Sequence, residues 1–158
     1  MSKARIDDIE TAVIAYIALD TLMNGVQVEG ISANNADFAA ERLIVTPPAV
    51  LVHYAGGNPQ AGTADWHLYS VEERFTLYIV ASALRDSASA RQGVATERGA
   101  YQMIEDLRTI FAGRQLFLQS GGGPAWCRFA ESRFLEFDEQ GNAIYALDVI
   151  VKGIWEGV

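Results

Sequence analysis

The chain contains 158 residues, half of them hydrophobic, which is the size and composition of one ordinary globular domain, so we treat residues 1–158 as a single unit. Its formal charge is −8, with 20 acidic and 12 basic residues. This balance argues against a general DNA- or RNA-binding protein, because phosphate binding needs clustered Lys and Arg. The single cysteine, Cys127, allows no intrachain disulfide and no cysteine-based zinc site, and it is predicted to be a small buried thiol.

The N-terminal sequence MSKARIDDIE lacks the apolar core of a signal peptide, and no apolar run reaches the length of a membrane span. We therefore expect a chain that makes no membrane contact and is kept in a reducing cytoplasm.

The first element along the chain is an amphipathic helix, predicted over residues 6–23 because apolar side chains recur there every three or four positions. The pair Asn24-Gly25 is typical of a helix end. A short strand is predicted at residues 26–31, and one or two helical turns at residues 34–42.

The stretch TPPAVLVHYAGG predicts the next strand. Its two prolines favour an extended backbone, and residues 49–55 are nearly all apolar, as in a strand covered on both faces. The pair Gly56-Gly57 is predicted to end this strand, and NPQAGTAD to form a loop.

Period-two alternation of apolar and polar side chains predicts a long, half-buried strand over residues 66–81. The loop LRDSASARQG follows at residues 84–93, and a second amphipathic helix is predicted at residues 95–112. After the flexible connector SGGGP, strands at residues 126–138 and 143–155 are joined by the turn sequence DEQGN. This order predicts an α+β fold, with a mainly antiparallel sheet, two helices packed on one face and a C-terminal β-hairpin.

Few residues suggest chemistry. Neither His53 nor His67 has a metal-type partner two to five residues away, and adjacent carboxylates on a strand point apart. The glycine-rich pieces AGGNPQAG and SGGGP match no phosphate-binding loop. We therefore expect no enzyme activity, no metal and no cofactor.

Charge is distributed unevenly between two segments. The region of the 84–93 loop is mildly basic and the C-terminal hairpin is acidic, so copies of the chain could bind head to tail and close into a ring. The alternative is that both are unrelated solvated surfaces. The candidate interface residues are Arg85, Arg91, Arg98, Glu136, Asp138 and Glu139.

Four segments, in this order and spacing, resemble the Mu-like phage small tail protein family of contractile-tailed phages and prophages. They are PPAVLVHYAGG, ERFTLYIVASALRD…ARQG, RGAYQMIEDLRTIFAGRQL and YALDVIVKG, and the resemblance runs from about residue 3 to residue 155. The strand-to-helix loop of the family matches at Arg85, Arg91 and Gly93, and its helix start at Gly99, Ala100 and Tyr101.

The resemblance implies a tail terminator or tail-completion protein, which caps the tail tube and sheath at the end nearest the head. It implies a homohexameric ring in the virion tail, assembled in the host cytoplasm, with tail tube, sheath and head-completion proteins as partners. Six copies of a chain at −8 would carry −48, and an acidic lumen would let DNA pass without binding it. Changing Arg85 and Arg91 together to Glu is predicted to block assembly without unfolding the chain.

Two alternatives remain open from the sequence. One is a head–tail joining ring, which is also built from small subunits. The other is a small α+β enzyme or ligand-binding domain, whose pocket under the sheet would be lined by His53, Tyr54 and Asp148.

Overall fold

The computed structural model describes residues 5–37, 42–61, 68–82, 91–92, 99–112, 115–117 and 124–156. Two helices and eight strands lie wholly in these ranges, with a 3₁₀ turn at Thr21–Met23, and residues 91–92 belong to a further helical segment. The elements are α1 Arg5–Leu19, β1 Gln27–Gly30, β2 Ala36–Asp37, β3 Arg42–Leu43, β4 Ala49–Ala61, β5 Leu68–Ala81, α2 Ala100–Phe111, β6 Gln115–Phe117, β7 Pro124–Phe137 and β8 Ala143–Glu156. No helix among the described residues is long and apolar enough to cross a membrane.

Six of the strands form one sheet in the order β1-β4-β5-β8-β7-β6. The fold is α+β, as predicted, but the sheet is mixed, because β1 runs parallel to β4. The other four pairings between described strands of this sheet are antiparallel, including that of β7 with β8 across the turn at residues 138–142. A parallel neighbour needs a crossover connection, which local sequence patterns do not reveal.

Both helices pack on the same face of the sheet and bury one continuous apolar core. Odd-numbered side chains of β5 and β8, such as Leu77 and Val149, point into this core, because successive side chains of a strand alternate between faces. From α1 the core takes Val13 and Ile17, and from α2 it takes Leu107. We call the opposite side of the sheet the far face.

Helix α1 ends earlier than its sequence pattern predicts. It stops at Leu19, and the Asp20 side chain accepts a hydrogen bond from the backbone N–H of Leu22, which caps the 3₁₀ turn. Met23 is nevertheless buried in the core, as the helical spacing predicts. Gly25 follows with φ of +82°, a backbone conformation that glycine adopts readily.

Strand β4 continues six residues beyond its predicted end. Ala55 is an extra residue between Tyr54 and Gly56, so the strand bulges there, and Gly56 takes a φ of +127°. Pairing with β5 then resumes and extends to Ala61. The predicted loop at residues 58–65 is therefore strand over its first four residues, and the rest lies outside the described residues.

The helical turns predicted at residues 34–42 are wrong in the described part of that segment. Strands β2 and β3 pair there as a two-stranded ribbon, with Ala36 opposite Leu43. Leu43 and Val45 pack on a small apolar cluster of Ala49, Val80 and Ile144 on the far face. The ribbon and the chain after it thus cover one end of that face.

A candidate docking surface

The outer part of β7 is exposed at every position from residue 130 to residue 137, and we call this segment the β7 tip. The residues of β8 that pair with it, from Ala143 to Leu147, are buried or half-buried. The difference follows from strand order. Strand β8 lies between β5 and β7, whereas β6 covers only residues 124–126 of β7 within the described chain.

Several exposed side chains of β7 are large and apolar. Trp126 is 54% exposed, Phe134 47%, Leu135 40% and Phe137 39%. The ring of Phe134 contacts those of Phe137 and Tyr145, with centroids 5.0 and 5.3 Å apart. A group of exposed aromatic side chains on one sheet edge is typical of a surface that binds another protein.

Tyr101 on α2 and Tyr145 on β8 extend this aromatic group. Their rings meet edge to face at 5.9 Å, and their hydroxyls share a hydrogen bond. That bond lowers the pKa of Tyr101, with a further contribution from the Arg91 guanidinium, whereas burial and the neighbouring Tyr101 raise the pKa of Tyr145 to about 12.

The structure thus places Arg91, one of the candidate interface residues, against Tyr101 and beside the β7 tip. Arg91 and Gln92 are helical, although the sequence predicts a loop there. Arg85 and Arg98 lie outside the described residues, as does most of the 84–93 loop. The contact with Tyr101 brings Arg91 itself to the same end of the molecule as the hairpin.

An open cleft of about 270 Å³ separates α2 from the β7 tip. Arg108 crosses it and donates a hydrogen bond of 2.9 Å to the Ser132 hydroxyl. The cleft is lined by Tyr101, Ile104, Glu105, Arg108, Ser132, Arg133, Phe134 and Tyr145. Its mixture of aromatic rings and guanidinium groups suits a protein segment that carries apolar and acidic side chains.

The three acidic candidates near the turn have different surroundings. Asp138 is used within its own turn: its carboxylate accepts hydrogen bonds from the backbone N–H of Gln140 and Asn142 and from the Asn142 side chain, at 2.8 to 2.9 Å. Glu139 has a side chain 89% exposed and lies 3.9 Å from Arg42. Glu136 is exposed on the β7 tip and faces the same side of the sheet as Ile144.

A charged cluster on the far face was not identified in the sequence. The buried Asp148 carboxylate accepts hydrogen bonds from Thr76 at 2.9 Å, from Arg74 at 3.2 Å and from Arg133 at 3.1 Å. The sequence pattern that could have indicated this cluster is the polar side of the predicted strand 66–81, which contains Arg74 and Thr76. Asp148 alternates in the same way on β8, and only the β5–β8 register shows that the two polar rows meet.

The three residues proposed to line an enzyme pocket do not share one. Tyr54 lies on the helix face, where its ring packs against Phe75 at 5.4 Å, whereas Asp148 lies on the far face. His53 is half-buried and its ring lies 6.3 Å from that of Tyr78.

The Tyr54 hydroxyl instead donates a hydrogen bond of 2.6 Å to Glu73. Burial and this carboxylate raise the pKa of Tyr54 to about 12. Gly57 leaves the space for the bond, because a Cβ there would collide with Glu73 and lie 2.9 Å from the Tyr54 oxygen. This pair therefore has a structural role in holding the bulged part of β4 to β5.

Within the described ranges, no group of three or more His, Cys, Asp or Glu residues is arranged to hold a metal ion. Cys127 is buried, as the sequence predicts, and burial raises the pKa of its thiol to about 12. A thiol with that pKa is protonated at neutral pH and is a poor nucleophile.

The fold and this surface together define a small α+β protein in which large apolar and charged side chains are exposed along one strand of the sheet. Residues 5–152 match the family described as Bacteriophage Mu, Gp37, so the chain belongs to this family of phage proteins. The resemblance to Mu-like phage proteins identified from the sequence is thereby confirmed, and membership indicates a phage structural protein and a component of the virion. No curated protein matches the chain.

Proposed function

We propose that this chain is a tail terminator or tail-completion protein, which forms a ring at the head-proximal end of a contractile phage tail. The observation that carries this proposal is the family match over residues 5–152, which spans both helices α1 and α2 and the whole described sheet except the last four residues of β8. A protein that works by docking needs an exposed surface that becomes buried on assembly. The β7 tip, with Phe134, Leu135 and Phe137 exposed, is such a surface.

The docking surface in this proposal combines aromatic and charged groups at one end of the molecule. Arg91, held by Tyr101, lies beside the β7 tip, and Glu139 projects from the adjoining turn. A head-to-tail ring needs two different surfaces on each copy, and this end would supply one of them. The partners proposed for this end are a neighbouring copy and the tail tube and sheath proteins.

The far face carries charges of both signs. Arg74 and Arg133 contact Asp148, Arg128 lies 3.5 Å from Glu72, and Glu136 points to the same side. This face is therefore not the uniformly acidic surface expected for a lumen through which DNA passes without binding.

The proposal is tested by removing the gene for this chain from its phage and imaging the tails by electron microscopy. A terminator stops tube growth, so tails without it should exceed the normal length and vary in length. Tails of normal length that stay separate from filled heads would instead identify the head–tail joining ring. Complete, infectious virions without this chain would contradict both roles.

The ring is tested on the purified protein by native mass measurement and negative-stain images, alone and with tails made without this chain. Closed six-fold rings at one tail end are the expected result. The variant carrying Arg85→Glu and Arg91→Glu should stay folded and fail to cap tails. Lys152→Glu, a charge reversal on the far face, is the control and should cap them. Normal capping by the double variant would show that Arg85 and Arg91 are not part of the interface.

A further inference from the structure

The edge of β7 is open over most of its length. Within the described chain, β6 pairs with residues 124–126, and the outer side of residues 127–137 has no strand beside it. Every second residue of such an edge directs its backbone N–H and C=O outward, where another strand can pair with them. Natural edges are usually protected by charged side chains, and this one carries both charges and large apolar groups.

The charges along this edge alternate in sign and are symmetric about Ser132. Their order is Arg128, Glu131, Arg133 and Glu136. In an antiparallel pairing of two copies centred on Ser132, Arg128 lies opposite Glu136 of the second copy, and Glu131 lies opposite Arg133. Opposite charges at directly paired positions stabilise a strand pair, and each contact occurs twice because the arrangement is two-fold symmetric.

Two of the opposed pairs point to matching sides of the sheet in this register. Directly opposed residues of an antiparallel pair point to the same side of the sheet. Arg128 pairs with Ile150 and Glu136 with Ile144, both even-numbered residues of β8, so both point to the far face. Cys127 and Phe137 pair with Val151 and Ala143, so both point to the helix face, and they too become neighbours in this register.

We propose that β7 pairs antiparallel with β7 of a second copy, centred on Ser132, to form a two-fold dimer with a continuous sheet. Arg128 and Arg133 can take part although each already contacts a carboxylate, because their side chains remain 57% and 40% exposed. The two bulges of β7, between Phe129 and Ser132 and between Phe134 and Glu136, bend the edge. A bent edge disfavours the addition of further strands without limit. A two-fold dimer covers the exposed β7 edge of both copies, so this edge is not left free for a third copy.

This inference goes beyond the proposed function and does not depend on it, because the dimer forms between free chains without a tail. Glu136 is also one of the candidate residues of the proposed ring. The dimer and the ring would therefore compete for this residue where the proposed function holds, but the dimer itself does not rest on the ring.

The dimer is tested by sedimentation of the purified full chain over a range of concentrations. Arg128→Glu and Glu136→Arg should each weaken dimerisation by about tenfold or more, because both place like charges opposite each other in two symmetric contacts. The variant with both changes should dimerise within a few-fold of the natural chain, since every reversed arginine then meets a reversed glutamate. Lys152→Glu, on the same face but on β8, is the control and should leave dimerisation unchanged.

Hydrogen exchange of the natural chain gives a test that needs no variant. The outward-directed backbone amides of residues 127–137 should become protected as the protein concentration rises, while those that pair with β8 stay protected throughout. The proposal would be overturned if the natural chain remains monomeric at every concentration. It would also be overturned if the variant carrying both Arg128→Glu and Glu136→Arg dimerises no better than either single variant. If the monomer instead binds purified tails and Arg128→Glu abolishes that binding, the edge belongs to a tail protein, and the second-copy assignment is wrong.

Discussion

Strands β7 and β8 are neighbours of the same length, and they differ in almost every other respect. Both contain 14 residues and they pair along most of that length. Strand β8 is buried from Ala143 to Val151 apart from the half-buried Tyr145, whereas the β7 tip is exposed throughout. The comparison shows that position in the sheet, together with the larger share of charged residues on the β7 tip, separates the part that stabilises the fold from the part that can bind a partner.

Matched leucine substitutions should show the largest difference between the two strands. Leu147→Ala in β8 removes a side chain that is 1% exposed, so the free energy of unfolding should fall by about 2–5 kcal/mol. Leu135→Ala on the β7 tip should change it by less than about 0.5 kcal/mol. Urea unfolding in dilute solution measures both. Equal losses would mean that the β7 tip is buried in the free protein.

Thiol labelling can locate the boundary between the buried and exposed parts of β7. Because Cys127 has a pKa of about 12, alkylation at pH 8 should be about a thousandfold slower than at a cysteine placed at Leu135→Cys in a Cys127→Ala chain. The rate at Cys127 should keep rising tenfold per pH unit above pH 9, where the exposed thiol levels off.

The control for this labelling experiment is the natural chain in urea, in which Cys127 should react at the ordinary rate of an exposed thiol. Similar rates at the two positions in the folded protein would show that the first half of β7 is open as well.

The smallest of the three effects concerns the ion cluster that links β7 to β8 and β5. Asp148→Asn should lower the free energy of unfolding by about 1–3 kcal/mol, because an amide cannot accept the bonds of Arg74, Arg133 and Thr76 as a carboxylate does. Glu136→Gln, on the exposed tip, should change it by less than about 0.5 kcal/mol. An unchanged or more stable Asp148→Asn chain would show that the cost of burying the charge cancels its contacts.

Local sequence patterns predicted the strands that alternate cleanly and missed the features that depend on distant partners. Alternation over residues 66–81 located β5, and the same rule located β8. The local sequence around Gly56, Gly57 and Pro59 is typical of a loop. These residues nevertheless lie in strand β4, because its pairing with β5 resumes after the bulge at Ala55. The parallel pairing of β1 with β4 depends on the crossover between them, which has no local signal.

The candidate surface was predicted only in part for the same reason. The acidic residues of the hairpin were recognised from charge, but strand order decides that Phe134, Leu135 and Phe137 lie at an edge rather than in the core. In the sequence these three residues are indistinguishable from buried strand residues. Likewise, Asp148 becomes part of an ion cluster only when β5 and β8 are aligned.

The pairing of β5 with β8 also has a consequence for synthesis. Ala81 lies opposite Ala143, and Leu68 lies opposite Glu156, so the centre of the sheet joins the middle of the chain to its last described strand. On the ribosome, more than sixty further residues are synthesised after β5 before its partner strand β8 begins to emerge. Until then the apolar sides of β5 and β7 have no common strand between them, and such late, long-range pairing leaves a nascent chain open to aggregation. Ribosomes stalled before residue 143 should therefore carry chains that chaperones bind, and release of β8 should end that binding.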